Sequence, residues 1–317
     1  MKEKIKSLLC AALLCISLFS VIPLSGCADA PTGDAEITFT DALGREVGVN
    51  KSPQRVAALL GSFADIWKLS GGELCAAPAD ADDDFGIDMT GVVDIGGAHS
   101  PNLELILSAS PELVLASAST ASHVDLLEGL TAAGITVAFF DVDNFDDYIS
   151  MLDICTDITE RKDLFAEHGE AERERIDAVK SRYAEWVAEN GGEPVLLLRA
   201  SSGFVKAKGS TGTVLGEMLA DFGCVNIADS DGALTENLSV ESVIKSSPRR
   251  IFVVAMGDES AALASFENMI KENPAWGTLE AIGEGRVYFM DKALFNQKPN
   301  SRWAEAYELL YEKLTEK

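Results

Sequence analysis

The chain has 317 residues, with 51 acidic against 26 basic side chains and a formal net charge of −25. That balance excludes a partner recognised through its phosphate backbone, so no nucleic acid is expected, and it discourages adhesion to anionic lipid. The length suffices for two lobes with separate cores.

In chain order, Lys2, Lys4 and Lys6 form a basic start, and Leu8 to Val21 is an apolar stretch too short for a comfortable membrane span. It runs into Leu24-Ser25-Gly26-Cys27, which resembles the lipobox of bacterial lipoproteins. There the peptide before the cysteine is removed and the thiol carries a diacylglycerol. Residues 1–26 are therefore read as a lipoprotein signal peptide and Cys27 as the lipidation site. Residues 27–36, with a proline and a glycine, read as a tether to the extracytoplasmic face of the cell membrane. An ordinary secretory signal ending in an unmodified cysteine is the alternative. The removed segment holds three lysines and one glutamate, so export makes the chain two units more negative. Cys75, Cys155 and Cys224 remain, with no CxxC spacing and no disulfide framework. Free buried thiols are expected, with Cys75–Cys155 as the one pairing inside a single half.

Residues 37–158 read as a first α/β lobe. Val56 to Leu60, Val92 to Ile95, Leu113 to Ala116 and Thr136 to Phe140 are near-continuous apolar runs. Such runs between helices predict a mostly parallel sheet covered on both faces. The spacing predicts helices over Phe63 to Leu69, Leu103 to Leu107 and Val124 to Ala133, the last closed by Gly134. Residues 159–192 read as one linking helix. Ile176, Val179, Tyr183 and Trp186/Val187 share a face, and Gly191-Gly192 stops it. At 1.5 Å per residue it reaches about 45 Å, enough to join two lobes. Residues 193–317 read as a second lobe. Its strands are Val195 to Leu198, Ile251 to Val254 and Val287 to Met290. Its helices are Val214 to Phe222, Val240 to Lys245, Ala261 to Lys271 and Ser301 to Leu314.

One pattern occurs in both halves. Asn102-Leu103-Glu104, Ile106-Leu107, Ser110-Pro111 and the run from Leu113 match Leu238 to Glu241, Val243-Ile244, Ser247-Pro248 and the run from Ile251. In each, the glutamate precedes the proline by seven positions. A carboxylate in a first helical turn gains about 0.3–1 kcal/mol from the helix dipole. That explains either glutamate alone and leaves the repetition unexplained. Two similar lobes, each presenting one carboxylate, account for it.

Together these features resemble the substrate-binding proteins of the iron-siderophore, haem and cobalamin class of ABC importers. The resemblance covers the mature chain. It rests on the lipobox, on Gly96-Gly97 followed by Ser100 to Glu104, on the Ser-Pro steps before strands, on the linking helix and on Lys298 to Trp303. It implies two Rossmann-like lobes joined by one long helix, with a ligand cleft between them. It implies one glutamate per lobe docking on arginines of a permease dimer that works with ATPase subunits, and Glu104 and Glu241 are the matching positions. The implied ligand is a metal chelate: a ferric siderophore, or alternatively haem or cobalamin. No catalysis and no resident cofactor are implied.

The cleft is expected at the carboxyl ends of the strands. The residues assigned to it are Phe63, His99, Ser119 and Phe145 from the first lobe, and Phe204, Lys206, Lys208, Met256, Phe295, Lys298 and Arg302 from the second. Aromatics and hydroxyls suit a broad, partly apolar chelate, and cations suit its anionic groups or haem propionates. Other patterns carry less. Gly209 to Thr213 lacks the Gly-Lys-Ser/Thr ending of a phosphate loop. The three histidines, His99, His123 and His168, all precede Gly191, which opposes a bare-metal site fed by both lobes. Asp80, Asp82, Asp83, Asp84 and Asp88 lack the order of a calcium loop. An extracellular hydrolase using Asp141 and Asp143, and a receptor's sensor lobe, are the rivals from other classes.

Overall fold

The computed structural model describes residues 35–316. The predicted signal peptide, Cys27 and most of the predicted tether lie outside the described residues.

An antiparallel hairpin, β1 (Ile37–Thr40) with β2 (Glu46–Val49), opens the described chain. β3 (Val56–Ala58), β4 (Leu74–Ala77) and β5 (Val93–Asp94) follow, then a short hairpin of β6 (Gly96–Gly97) and β7 (Ser100–Pro101), then β8 (Leu113–Ser117) and β9 (Thr136–Phe140). The first sheet is wholly parallel in the order β5-β4-β3-β8-β9. β4 was not among the predicted strands, because its four residues follow Gly71-Gly72 and carry no β-branched side chain.

The second sheet holds β10 (Pro194–Ala200), β11 (Val205–Lys208), β12 (Val225–Asn226), β13 (Arg250–Ala255) and β14 (Val287–Met290). β12, β10, β13 and β14 lie side by side and parallel, matching β4, β3, β8 and β9 of the first sheet. β11 departs from that plan. It folds back antiparallel along the last four residues of β10, where the sequence reading had a cleft loop.

Strand side chains alternate between faces, and the alternation sorts three cores. Ala57, Leu59, Val114, Ala116, Val137 and Phe139 pack on one face of the first sheet with Leu103 and Leu130. Leu196, Leu198, Ile251 and Val253 pack on one face of the second sheet with Val243 and Phe266. The remaining faces share a single core. Val56, Leu113, Leu115, Ala138 and Phe140 join Val195, Leu197, Phe252 and Val254 through Ile176, Val179, Tyr183, Trp303 and Leu310. The lobes are thus joined by buried apolar surface as well as by chain. Cys75 belongs to the first of these cores and Cys155 to the last, on opposite faces of one sheet. Both thiols are free, and burial pushes each upward in pKa.

Two helical readings need correction. The Val124–Ala133 helix is two helices, Ala121–Asp125 and Leu127–Ala132. The linking helix does not start at 159. A helix over Phe145–Thr159, absent from the predicted set, ends at Glu160, whose φ of 59° is left-handed and stops it. The linking helix then runs from Lys162 through a π-helical turn at Ala166–Glu170 into Ala171–Asn190, and Gly191 with φ 84° closes it. The Tyr148 hydroxyl donates to the His168 carbonyl at 3.0 Å, satisfying a carbonyl within the π turn.

Candidate functional site

The repeated pattern folds alike in both lobes. Asn102 caps the Leu103–Ser108 helix, accepting from the Glu104 and Leu105 N–H groups, and Ser239 caps Val240–Ser246, accepting from Ser242 N–H. Ser110 and Ser247 then take nearly the same left-handed φ, 46° and 47°, and Pro111 and Pro248 follow. Glu112 N–H donates to Arg55 O at 2.7 Å and Arg249 N–H to Pro194 O at 2.8 Å, so each elbow is pinned beside the first strand of its sheet. Glu104 and Glu241 are both exposed in a first helical turn. Ser239 Oγ donates to Glu241 at 3.0 Å.

At the carboxyl edge of the first sheet, the polar groups are largely tied into the fold. His123 is fully buried. Its Nδ1 accepts from Ser117 N–H at 3.1 Å, so its proton sits on Nε2, which donates to Ala98 O at 2.6 Å. That imidazole fastens the β6–β7 hairpin to the end of β8 and leaves His99 exposed at the hairpin's turn. The exposed Ser119 shares a hydroxyl hydrogen bond of 3.0 Å with Ser117. Asp147 accepts from the N–H groups of Asp143 and Asn144. Asp80 accepts from Gly61 N–H through one oxygen, while its other oxygen is buried without a partner, and burial raises its pKa.

Three aromatics assigned to the cleft sit instead in the shared core. Phe63 and Phe295 are 1% exposed and Phe145 is 6% exposed. Phe63 meets Phe140 edge-on and Phe145 meets Trp303 edge-on. Each lies at the start or end of a helix bordering a cleft loop, and its apolar area is better satisfied inward than in the loop. Two assigned cations already have partners. Lys298 reaches across the lobes to Asp143 at 3.1 Å, and Arg302 holds Glu305 through two hydrogen bonds of 2.7 and 2.8 Å. Lys292 makes a second contact between lobes, 3.6 Å from Asp84.

Phe204, Lys206, Lys208 and Met256 remain accessible on the second lobe, Met256 at 42%. Lys206 Nζ stands 5.4 Å over the Phe204 ring. The β10–β11 register places Arg199 opposite Lys206 and Leu197 opposite Lys208, so the three cations share one face of the hairpin. Arg199 is the residue that sequence reasoning missed. Its signal was a lone charge inside the apolar strand Pro194–Ala200. Among the described residues, none of Arg199, Lys206 and Lys208 forms an ion pair or a side-chain hydrogen bond. Burial holds Arg199 below its ordinary pKa, and burial together with the neighbouring Arg199 and Lys206 does the same to Lys208.

Residues 56–294 match the family model described as "Periplasmic binding protein". The chain belongs to that family. It is 26% identical to the Fe(3+)-citrate-binding protein YfmC of Bacillus subtilis over 89% of each chain. Among solved structures, it superposes on Staphylococcus aureus SirA, complexed with staphyloferrin B, with a TM-score of 0.68. The match has 17% identity and covers 88% of this chain and 98% of that one. The Vibrio cholerae vitamin B12 binding protein BtuF gives 0.65 with 19% identity, covering 83% and 97%. At such identities the likeness establishes the fold: two α/β lobes joined by a helix.

Proposed function

We propose that this family member is the substrate-binding component of an ABC importer, capturing a metal chelate of the ferric-siderophore class between its lobes and handing it to a permease dimer. The observation that carries the reading is the duplicated elbow, which leaves Glu104 and Glu241 exposed at matching places in two lobes of similar strand order. A carboxylate pairs with a guanidinium through two parallel hydrogen bonds, so two such pairs fix both position and orientation on a partner. The ferric citrate ligand named for the Bacillus relative supports an iron chelate as cargo. Lipidation at Cys27 would keep the protein at the extracytoplasmic face, within reach of the permease. No catalytic step is assigned to Asp141 or Asp143. The linking helix and the shared core favour a modest closing motion over a wide hinge.

Charge reversal at both handles, Glu104→Arg with Glu241→Arg, is expected to abolish chelate uptake by cells while leaving the affinity of the purified protein unchanged. Wild-type uptake by the double variant would refute the docking role. Mass spectrometry of the natively purified protein identifies the cargo, and recovery of haem or cobalamin would replace the siderophore reading.

A further inference from the structure

Arg199, Lys206 and Lys208 form a concentrated positive face in a chain of net charge −25. The lysines elsewhere at the junction of the lobes are answered: Lys298 by Asp143 and Lys292 by Asp84. Arg199 is half-buried and, among the described residues, unanswered. A guanidinium withdrawn from water without an acceptor destabilises the fold that holds it. Nothing in the packing requires the charge: Leu197 and Val195, the same-face neighbours on its strand, are apolar core residues. A crevice too small for a chelate lies beside Arg199 and Lys208, closed by Thr213 and by the core residues Val254 and Phe295. The described ion pairs across the junction have the opposite sense, with first-lobe carboxylates, Asp143 and Asp84, answering second-lobe lysines, and none of them involves Arg199, Lys206 or Lys208.

Resting on the chelate-capture reading, we propose that the Arg199–Lys206–Lys208 face selects a multiply anionic chelate with carboxylate arms, which settles on the second lobe before the first lobe covers it. The guanidinium fork matches a carboxylate through two bonds, and the lysines answer further charges as movable points. A neutral chelate would leave the three cations still repelling one another, so the same face rejects it. The lowered pKa values of Arg199 and Lys208 accord with charges waiting for a counter-charge.

The test titrates the purified protein with ferric citrate, with a neutral ferric trihydroxamate and with cyanocobalamin, by calorimetry, and repeats it for Arg199→Gln and Lys206→Gln. Ferric citrate is expected to bind best. Its affinity should fall roughly thirtyfold or more in Arg199→Gln and several-fold in Lys206→Gln, whose exposed side chain can be changed without disturbing the fold. The ligand-free Arg199→Gln protein should melt at or above the wild-type temperature, because a charge kept for ligand rather than for folding is a burden without it. Unchanged citrate affinity in both variants, a preference for the trihydroxamate or cobalamin, or a lowered melting temperature of ligand-free Arg199→Gln overturns this inference and leaves chelate capture standing. Failure of the wild type to bind any of the three overturns both.

Discussion

The carboxyl edges of the two sheets are built from the same strand order yet treat most of their polar groups differently, the unpartnered oxygen of Asp80 being an exception on the first edge. On the first edge, His123 uses both ring nitrogens within its lobe, and Asp147 closes the Asn144 cap. On the second edge, Arg199, Lys206 and Lys208 stand without acceptors among the described residues. Buried polar groups are normally matched because an unmatched one costs about 1–3 kcal/mol. A matched group therefore reports on folding, and an unmatched charge beside a cleft reports on something the protein meets later. The comparison also separates what the lobes share from what distinguishes them. They share the elbow with its exposed glutamate, and they differ in the hairpin partner of β10.

The largest effect is expected at the first edge. Replacing His123 with Ala strands the Ser117 N–H and the Ala98 carbonyl and leaves a cavity, so stability should fall by about 3 kcal/mol in urea denaturation. The imidazole also makes stability depend on pH. Burial holds its pKa in the folded state below the ordinary 6.5. The unfolded chain therefore takes up the proton first as pH falls below that value, and the contribution present above it is lost on the acid side. The wild-type melting temperature should drop more between pH 7.5 and 5.5 than that of His123→Gln. Equal slopes would break the claim that this edge is held by a neutral imidazole. The raised pKa values of Asp65 and Asp80 act in the opposite direction at more acid pH and are common to both proteins.

How much of this was legible beforehand follows the same division. The long apolar runs became β3, β8, β9, β10, β13 and β14; strands buried on both faces need apolar side chains throughout, and β14, with Phe289 47% exposed, is the one of these that is not so buried. The elbows were legible because a cap, a left-handed serine and a proline leave a local signature. β11 was not, although Val205-Lys206-Ala207-Lys208 alternates apolar and charged side chains as a half-buried strand does; at four residues, directly after a loop, the signal is short. Phe63, Phe145 and Phe295 were misplaced for another reason. Loops at strand ends look like cleft lining, but whether a ring at a helix terminus turns outward or inward is decided by packing partners far away in sequence, such as Phe140 and Trp303. Arg199 had a readable signal whose meaning depended on the antiparallel return of β11, which supplied Lys206 and Lys208 but no carboxylate.

A smaller effect is expected where the lobes meet. Asn300 is fully buried at a left-handed φ of 52°, and its amide donates to Ser62 O at 3.0 Å and Asp65 at 2.7 Å. Asn300→Ala loses a charge-assisted hydrogen bond and places a Cβ in an unfavourable backbone conformation, at about 2 kcal/mol together. Asn300→Gly keeps the backbone at ease and should recover about 1 kcal/mol of that loss. If both variants fall equally, the strain is not in the backbone. Asp65, already raised by burial, should titrate higher still once its donor is gone.

The smallest effect is expected from the shorter of the two described ion pairs between the lobes. Lys298 and Asp143 are 3.1 Å apart with side chains 23% and 41% exposed, so solvent screens them and Lys298→Gln should change stability by less than about 1 kcal/mol. Its effect on binding sharpens the comparison. Lys298 carries the same charge as Lys206 and also lies near the cleft, but it already has a carboxylate from the first lobe. A chelate would have to displace Asp143 to use it, and the energy gained from one carboxylate is nearly cancelled by the loss of the other. Lys298→Gln should therefore weaken ferric citrate by no more than about threefold, well short of the loss in Arg199→Gln. A loss as large as that of Arg199→Gln would mean that pairing within the protein does not mark which cations are reserved for ligand, and the division between the two edges would fail.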